Sequence, residues 1–516
     1  MIGLLIQGNV FEQDIRELLM SFYPGEVYAH EVKEGVDFYV ESRLGNGQVR
    51  LLVWDQGQEE SGQKTEEKAP AEGFVLSMDR SRPADLENHL EAKNVIKQLF
   101  YEMLCERTGR TLPWGSLTGI RPTKIALTRL EEGWSEEQIR SYMKETYMAS
   151  DEKIDLCIEI AAREKELLAP VDYEKGYSLY VGIPFCPTTC LYCSFTSYPI
   201  SKWKGRTGLY LEALFRELEY TAEKMKGRPL DTIYFGGGTP TSLEAEDLDL
   251  LLDTVYFGGG TPTSLSADHL DQVISKVEEL FDLSGVQEFT VEAGRPDSIT
   301  REKLQVLRNH GITRISINPQ TMNQKTLDLI GRRHTVEQVK ETFHTARELG
   351  FDNINMDLIM GLPQEGIQEV EHTLEEIRRL SPDSLTVHSL AIKRAARLNM
   401  FKEDYSSLTI QNTPEMIEMS MRCAREMGME PYYLYRQKNM AGNFENVGYA
   451  LPGKACLYNI LIMEEMQTIA ACGAGTTTKV VFPAENRRER CENVKEVEQY
   501  VARVEEMIGR KEKILP

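Results

Sequence analysis

The chain has 516 residues, 41% of them hydrophobic and 27% charged, with a formal net charge of −22. This length predicts two to four domains and a large buried core, and the acidity excludes nucleic acid as a bulk partner while leaving room for a local basic pocket. No run of about 18 apolar residues is present, so no spanning helix is expected, and the opening MIGLLIQGNVFEQDIRELL lacks a basic stretch and is not read as a signal peptide.

Nine cysteines, an odd number in a chain with no export signal, argue against a disulfide framework and for a reducing, cytoplasmic setting. Residues 1–170 read as an α/β-plus-helical extension. A short strand at 3–7 and a helix at 13–22 come first. Alternating residues at 38–54 flank Gly45-Asn46-Gly47, which predicts a hairpin. The stretch 56–71 is polar and loop-like, and 74–78 reads as a returning strand. Helical spacing follows at 84–106, 135–147 and 151–168. Between the first two of these lies LPWGSLTGIRPTK at 112–124. There Trp114 beside Arg121 and Lys124 suits either a connecting loop or a flat, carboxylate-bearing ligand.

From Tyr177 strands and amphipathic helices alternate. Strands are expected at 178–183, 254–257, 288–292, 314–318, 354–359 and 384–388. Repeated βα units imply a parallel sheet with right-handed crossovers, and six can curl into a partial (β/α)6 barrel. Functional residues then belong at the C-terminal ends of the strands. The predicted fold is therefore α/β: an extension at 1–170, a barrel core at 171–395 and an α-rich closing segment at 396–516.

The first strand of the core runs into VGIPFCPTTCLYCSFTS at 181–197, which carries Cys186, Cys190 and Cys193. Three thiols so close together can fold around one cube of iron and sulfide and leave its fourth iron open for chemistry. Structural zinc is the competing reading, but it needs a further ligand pair, and the chain has no second C-x₂-C.

Residues 231–252 and 253–274 are a tandem repeat with 15 of 22 positions identical, including YFGGGTPTSL in both copies. Glycines at a strand end let the backbone approach a ligand closely. A barrel needs one copy. The second runs straight into a full amphipathic helix, and choosing it puts the extra segment on the face away from the chemistry. Gly258, Gly259, Gly260 and Thr261 are therefore the expected ligand-binding turn. Glu292, Gln320, Arg332, Asp357 and His388 follow at or just beyond later strand ends. Together they offer carboxylates, an amide and a guanidinium, an inventory suited to a zwitterionic nucleoside.

These motifs resemble the radical S-adenosylmethionine (SAM) superfamily, whose signature is CxxxCxxC. Within it, SLYVGIPFCPTTCLYCSF, YFGGGTPTSL, GRRHT and NMDLIMGLPQE are similar to the oxygen-independent coproporphyrinogen III oxidases, and LPWGSLTGIRPTK to their coproporphyrinogen dehydrogenase (HemZ) branch. The resemblance implies a 4Fe–4S cluster on Cys186, Cys190 and Cys193, with one or two SAM molecules. Tyr180 and Tyr192 would flank the cluster; Gly259, Gly260 and Thr261 would hold the methionine moiety. Glu292, Gln320, Arg332, Asp357 and Ala391 would be further SAM contacts. It also implies a tetrapyrrole substrate, a flavodoxin- or ferredoxin-type electron donor, and oxidative decarboxylation of coproporphyrinogen III. Two positions after the third cysteine stands Phe195, where proven oxidases carry a fourth cysteine. Phenylalanine there is closer to the related haem-chaperone branch, and other radical chemistry on tetrapyrroles is a third reading. In the tail, Gly473 and Gly475 suit a tight turn, and Cys456 and Cys472 read as ordinary thiols.

Overall fold

The structure, a computed structural model, describes residues 1–57, 67–119, 121–193, 197–237, 261–391, 408–437, 444–485 and 487–516. It divides into two compact units: Met1–Pro122 with Thr128–Ile158, and Thr123–Leu127 with Glu159–Pro516. Among the described residues no helix is long and apolar enough to cross a membrane.

The first unit holds strands β1 (Ile2–Ile6), β2 (Tyr28–Ala29), β3 (Phe38–Gly45), β4 (Gln48–Gln56) and β5 (Phe74–Pro83), in the order β2-β1-β3-β4-β5. The predicted hairpin is there: Asn46 and Gly47 both take positive φ (52° and 67°), the pairing that a tight two-residue turn between twisted strands demands. Helices Glu12–Phe22 and His89–Thr108 bury Ile15, Leu18, Ile96 and Phe100 in one core with Val40 and Leu51 of the sheet. Asn88 caps the longer helix, so it starts later than the spacing predicts. Trp114 is fully buried in this unit. Lys124 belongs to the other, where Thr123 Oγ1 donates to Glu464 Oε1 (3.1 Å) and Lys124 Nζ to the Glu464 carbonyl (3.4 Å).

Among the described residues the second unit is built on an eleven-stranded sheet. Its core is β6 (Tyr177–Gly182), β9 (Leu230–Gly236), β10 (Glu288–Gly294), β11 (Arg314–Ile317), β12 (Ile354–Met360) and β13 (Ser384–Ser389), all parallel and adjacent in that order. The two-residue strands β7 (Phe185–Cys186) and β8 (Tyr198–Pro199) pair apart from it. Beyond β13 the sheet continues antiparallel through β15 (Asn446–Ala450) to β14 (Glu430–Tyr435). At the other end β16 (Thr468–Cys472) lies parallel to β6, followed by β17 (Thr477–Phe482) and β18 (Arg487–Glu492). Among the described residues the two edge strands, β14 and β18, do not pair.

Two expectations need correction. The strand between β6 and β10 is β9, from the first glycine copy, and 254–257 lies outside the described residues. β9 follows the helix Thr207–Lys224 after a short turn, the usual length for a helix-to-strand connection; using the second copy would have lengthened that connection by a whole repeat. The C-terminal segment is not α-rich but mixed, adding β14 to β18 to the sheet. Its short runs PYYLY, NVGYA, TIAAC and TTKVVF carry the aromatic and β-branched residues that favour strands.

Candidate functional site

Alternation along the core strands builds the site. Successive side chains point to opposite faces. Ile233, Phe235, Val291, Ile315, Ile317, Met356, Leu358, Leu385 and Val387 are buried on one face. The residues between them, Tyr234, Glu292, Arg314, Ser316, Asn355, Asp357, Thr386 and His388, all line one cavity of about 210 Å³. Each full apolar burial is worth roughly 1.5–3 kcal/mol, so the face with the greasy alternates is driven against the helices. The polar alternates are left facing inward.

Cys186, Cys190, Tyr192 and Cys193 close the cavity at the strand ends. The loop that carries them is pinned: Leu191 N–H donates to the Ile330 carbonyl (2.9 Å), and Thr188 Oγ1 to the Gly331 carbonyl (3.2 Å). Each thiol has a polar neighbour. Thr261 Oγ1 is 3.7 Å from Cys186 Sγ, Arg295 Nη1 is 3.6 Å from Cys190 Sγ, and Ser197 Oγ is 3.7 Å from Cys193 Sγ. Burial and the two other thiols push the Cys186 thiol up to about 12, against the pull of Thr261 and Arg295. Among the described residues no group of three or more His, Cys, Asp or Glu side chains is set to hold a single metal ion.

Thr261 comes from the second glycine copy. Its N–H donates to the Phe185 carbonyl (2.8 Å), while the Gly236 carbonyl of the first copy accepts from Ile183 N–H (2.6 Å). Described residues of both copies thus hydrogen-bond to the segment leading into the cysteine loop. Gly294 faces Thr261 with φ 74°, and a Cβ there would fall 2.9 Å from Thr261 Cγ2, so only glycine fits. Gly258, Gly259, Gly260 and Phe195 lie outside the described residues.

Glu292 and Asp357 differ in electrostatic character. Burial raises the Glu292 carboxyl to about 7, although the Tyr234 hydroxyl donates to it (2.8 Å). Burial acts on Asp357 too, but His388, Asn355 and Thr386 outweigh it and hold that carboxyl below its ordinary value. His388 Nε2 lies 3.9 Å from Asp357 Oδ2, and Asn355 Nδ2 donates to Oδ1 at 2.7 Å. The cavity therefore offers one carboxylate and one proton-sharing carboxyl near neutral pH.

Gln320 sits at φ 70°, rare for a residue with a Cβ. Its N–H donates to the Asp357 carbonyl and its carbonyl accepts from Ile359 N–H, both at 3.0 Å, which enforces the turn. Arg332 Nη1 donates to the Asn318 carbonyl (2.5 Å) and Nε to the Tyr192 hydroxyl (3.3 Å). Ser316 Oγ, Asn318 Oδ1, Gln320 Oε1 and Arg314 Nε are buried without a hydrogen-bond partner among the described residues, as a wall awaiting a polar ligand would be. Three thiols and these unpartnered groups fit an iron–sulfur group with a polar molecule beside it.

Of the residues singled out in the sequence, Cys186, Cys190, Cys193, Tyr192, Thr261, Glu292, Gln320, Arg332, Asp357, His388 and Ala391 line this cavity. Tyr180 stands behind the wall, stacked on Tyr234 and Tyr458, both with ring centroids 6.1 Å away. Gly473 (φ 114°) and Gly475 (φ 70°) turn the chain between β16 and β17. The sequence reading missed Arg295, Arg314, Asn355 and, from the C-terminal strands, Tyr433, Tyr435 and Asn446. Inward alternation on predicted strands would have found Arg314 and Asn355.

A family model described as the Radical SAM superfamily matches residues 180–377. The chain is 43% identical over 428 residues to the "Oxygen-independent coproporphyrinogen-III oxidase-like protein HemZ" of Bacillus subtilis (strain 168), covering 82% of this chain and 81% of that one. It is 34% identical over 257 residues to the "Heme chaperone HemW" of the same strain, covering 49% and 62%. It is 29% identical over 218 residues to the "Oxygen-independent coproporphyrinogen III oxidase" of Escherichia coli (strain K12), covering 42% of each chain. Both of these matches span less than two thirds of the relative. Among solved structures, coproporphyrinogen III oxidase (HemN) from Escherichia coli matches with a TM-score of 0.49 at 22% identity, covering 67% of this chain and 73% of that one.

Proposed function

Because this chain belongs to the oxygen-independent coproporphyrinogen-III oxidase-like family of radical SAM proteins, we propose that it oxidatively decarboxylates two propionates of coproporphyrinogen III to vinyl groups, giving protoporphyrinogen IX. The cofactors of the superfamily are a 4Fe–4S cluster and SAM, which when bound supply a 5′-deoxyadenosyl radical that takes one hydrogen atom from each propionate. Carbon dioxide and one electron then leave, so a one-electron acceptor is required, as is a flavodoxin- or ferredoxin-type donor.

The observation that carries this reading is convergence: three thiols and eight other residues singled out in the sequence, from 186 to 391, line one cavity. Cys186, Cys190 and Cys193 would hold the cluster. Arg332 offers a guanidinium for a carboxylate, and Asp357, kept charged by His388 and Asn355, accepts from hydroxyl or ammonium groups. Thr261 and the glycines before it would seat the methionine end, and Tyr192 would lie alongside the cluster. Gln320 and Ala391 shape the rim. Tyr433, Tyr435 and Asn446 wall the opposite side. All nine cysteines are free, which suits a cytoplasmic setting.

A haem-binding chaperone on the same fold is the second reading, favoured by Phe195 and the similarity to the chaperone. An anaerobic assay with reconstituted protein, SAM, reductant and coproporphyrinogen III separates the two. Vinyl product with 5′-deoxyadenosine supports the oxidase. Tight haem binding with neither product supports the chaperone.

A further inference from the structure

We propose that Arg295 and Asp297 form a charge pair that sets the reduction potential of the cluster through Cys190, with Arg295 as a positioning residue donating to the cysteine sulfur. This rests on the cluster reading above.

Arg295 follows the close-packed Gly294 at the end of β10, and its side chain is only 4% exposed. Nε donates to Asp297 Oδ1 (2.9 Å) and Nη2 to Asp297 Oδ2 (2.7 Å). This two-point clamp fixes the guanidinium plane. Nη1 is thereby aimed at Thr188 Oγ1 (2.7 Å), the Thr188 carbonyl (3.2 Å) and Cys190 Sγ (3.6 Å). Burying a guanidinium is expensive even when it is paired. The loop already has other holds, at Leu191 and at Thr188, so anchoring alone does not account for a buried charge here. Arg332 also bears on Cys190 and on Asp297, and His334 bears on Asp297.

A donor and a positive charge beside a ligand sulfur stabilise the electron-richer state of a cluster and raise its potential; a nearby negative charge does the reverse. The step affected is uptake of one electron from the external one-electron donor, with no bond made or broken. Arg295 pushes the potential up and Asp297 holds it down, so the pair trims the driving force of that transfer.

The test is anaerobic reconstitution of the native chain, Arg295→Gln and Asp297→Asn. Iron and sulfide are assayed first, then each cluster is titrated by redox potentiometry with electron paramagnetic resonance detection. The expected result is a potential shifted negative in Arg295→Gln and positive in Asp297→Asn, at native iron content. Simple loosening of the loop would move both the same way. Shifts of the same sign, or none in either variant, overturn the proposal. If Arg295→Gln takes up no iron, Asp297→Asn decides alone: an unchanged or more negative potential overturns it. A native chain that takes up no cluster overturns the cluster reading instead, and the iron assay shows this before any potential is measured.

Discussion

The Tyr234 hydroxyl donates a 2.8 Å hydrogen bond to Glu292 Oε1, joining the strand of the first glycine copy to the strand that follows the duplication. Burial raises this carboxyl to about 7 against the downward pull of that contact. The folded chain therefore holds the Glu292 proton more tightly than the unfolded chain, whose ordinary value is near 4.5. Stability carried by the protonated form is present below about 4.5 and is lost as pH rises toward about 7. Denaturation of the apoprotein should show this fall between pH 5 and 7.5, and Glu292→Gln should flatten it. Tyr234→Phe should move the midpoint alkaline.

Cys190→Ala should abolish the brown 4Fe–4S absorbance and most bound iron after reconstitution, while leaving the far-ultraviolet circular dichroism unchanged. Retention of the absorbance would show that Cys190 is not a ligand.

Deleting residues 238–259 rejoins Gly237 to Gly260 and recreates a single YFGGGTPTSL run. β9 of the first copy and Thr261 of the second are both kept. Their anchors, Ile183 and Phe185, lie two residues apart, which a short glycine linker can span. The shortened chain should fold and take up cluster and SAM like the native one. Insoluble protein, or SAM affinity reduced about tenfold or more, about 1.4 kcal/mol, would show that the repeat is needed.

How far the sequence told this story depends on the kind of signal. The core strands were readable because β-branched runs such as those of β10 to β12 sit between regular amphipathic helices. Cys186, Cys190 and Cys193 were readable because their spacing is local. Glu292, Asp357 and Arg332 were placed at strand ends by the same logic. The choice of glycine copy was not readable, because two nearly identical segments carry the same local preferences. β16 was missed for a different reason. Its partner β6 lies almost 300 residues earlier, and nothing local in TIAAC announces that pairing. Arg295 was hidden because an arginine in a turn reads as a solvated charge, and only its burial shows otherwise.

Glu217 and Lys511 form a fully buried ion pair at 2.8 Å, with exposures of 0% and 1%. Gly473 N–H, Asn493 Nδ2 and the Tyr500 hydroxyl also donate to Glu217. Lys511→Met leaves that carboxylate without its cation and should destabilise the chain by about 3–5 kcal/mol. The double variant with Glu217→Gln should recover part of the loss. Chemical denaturation measures both, and equal stability of native and Lys511→Met would show that the pair contributes nothing to stability.

The parallel pairing of β16 with β6 sets an order of events in the cell. β6, which leads into the cysteine loop, leaves the ribosome long before Thr468–Cys472, its neighbour in the sheet. At roughly 5–20 residues per second, β6 waits roughly 15–60 s for that partner. Through this interval one edge of β6 is open. A chain truncated before residue 468 would keep that edge of β6, the strand leading into the cysteine loop, without its sheet neighbour.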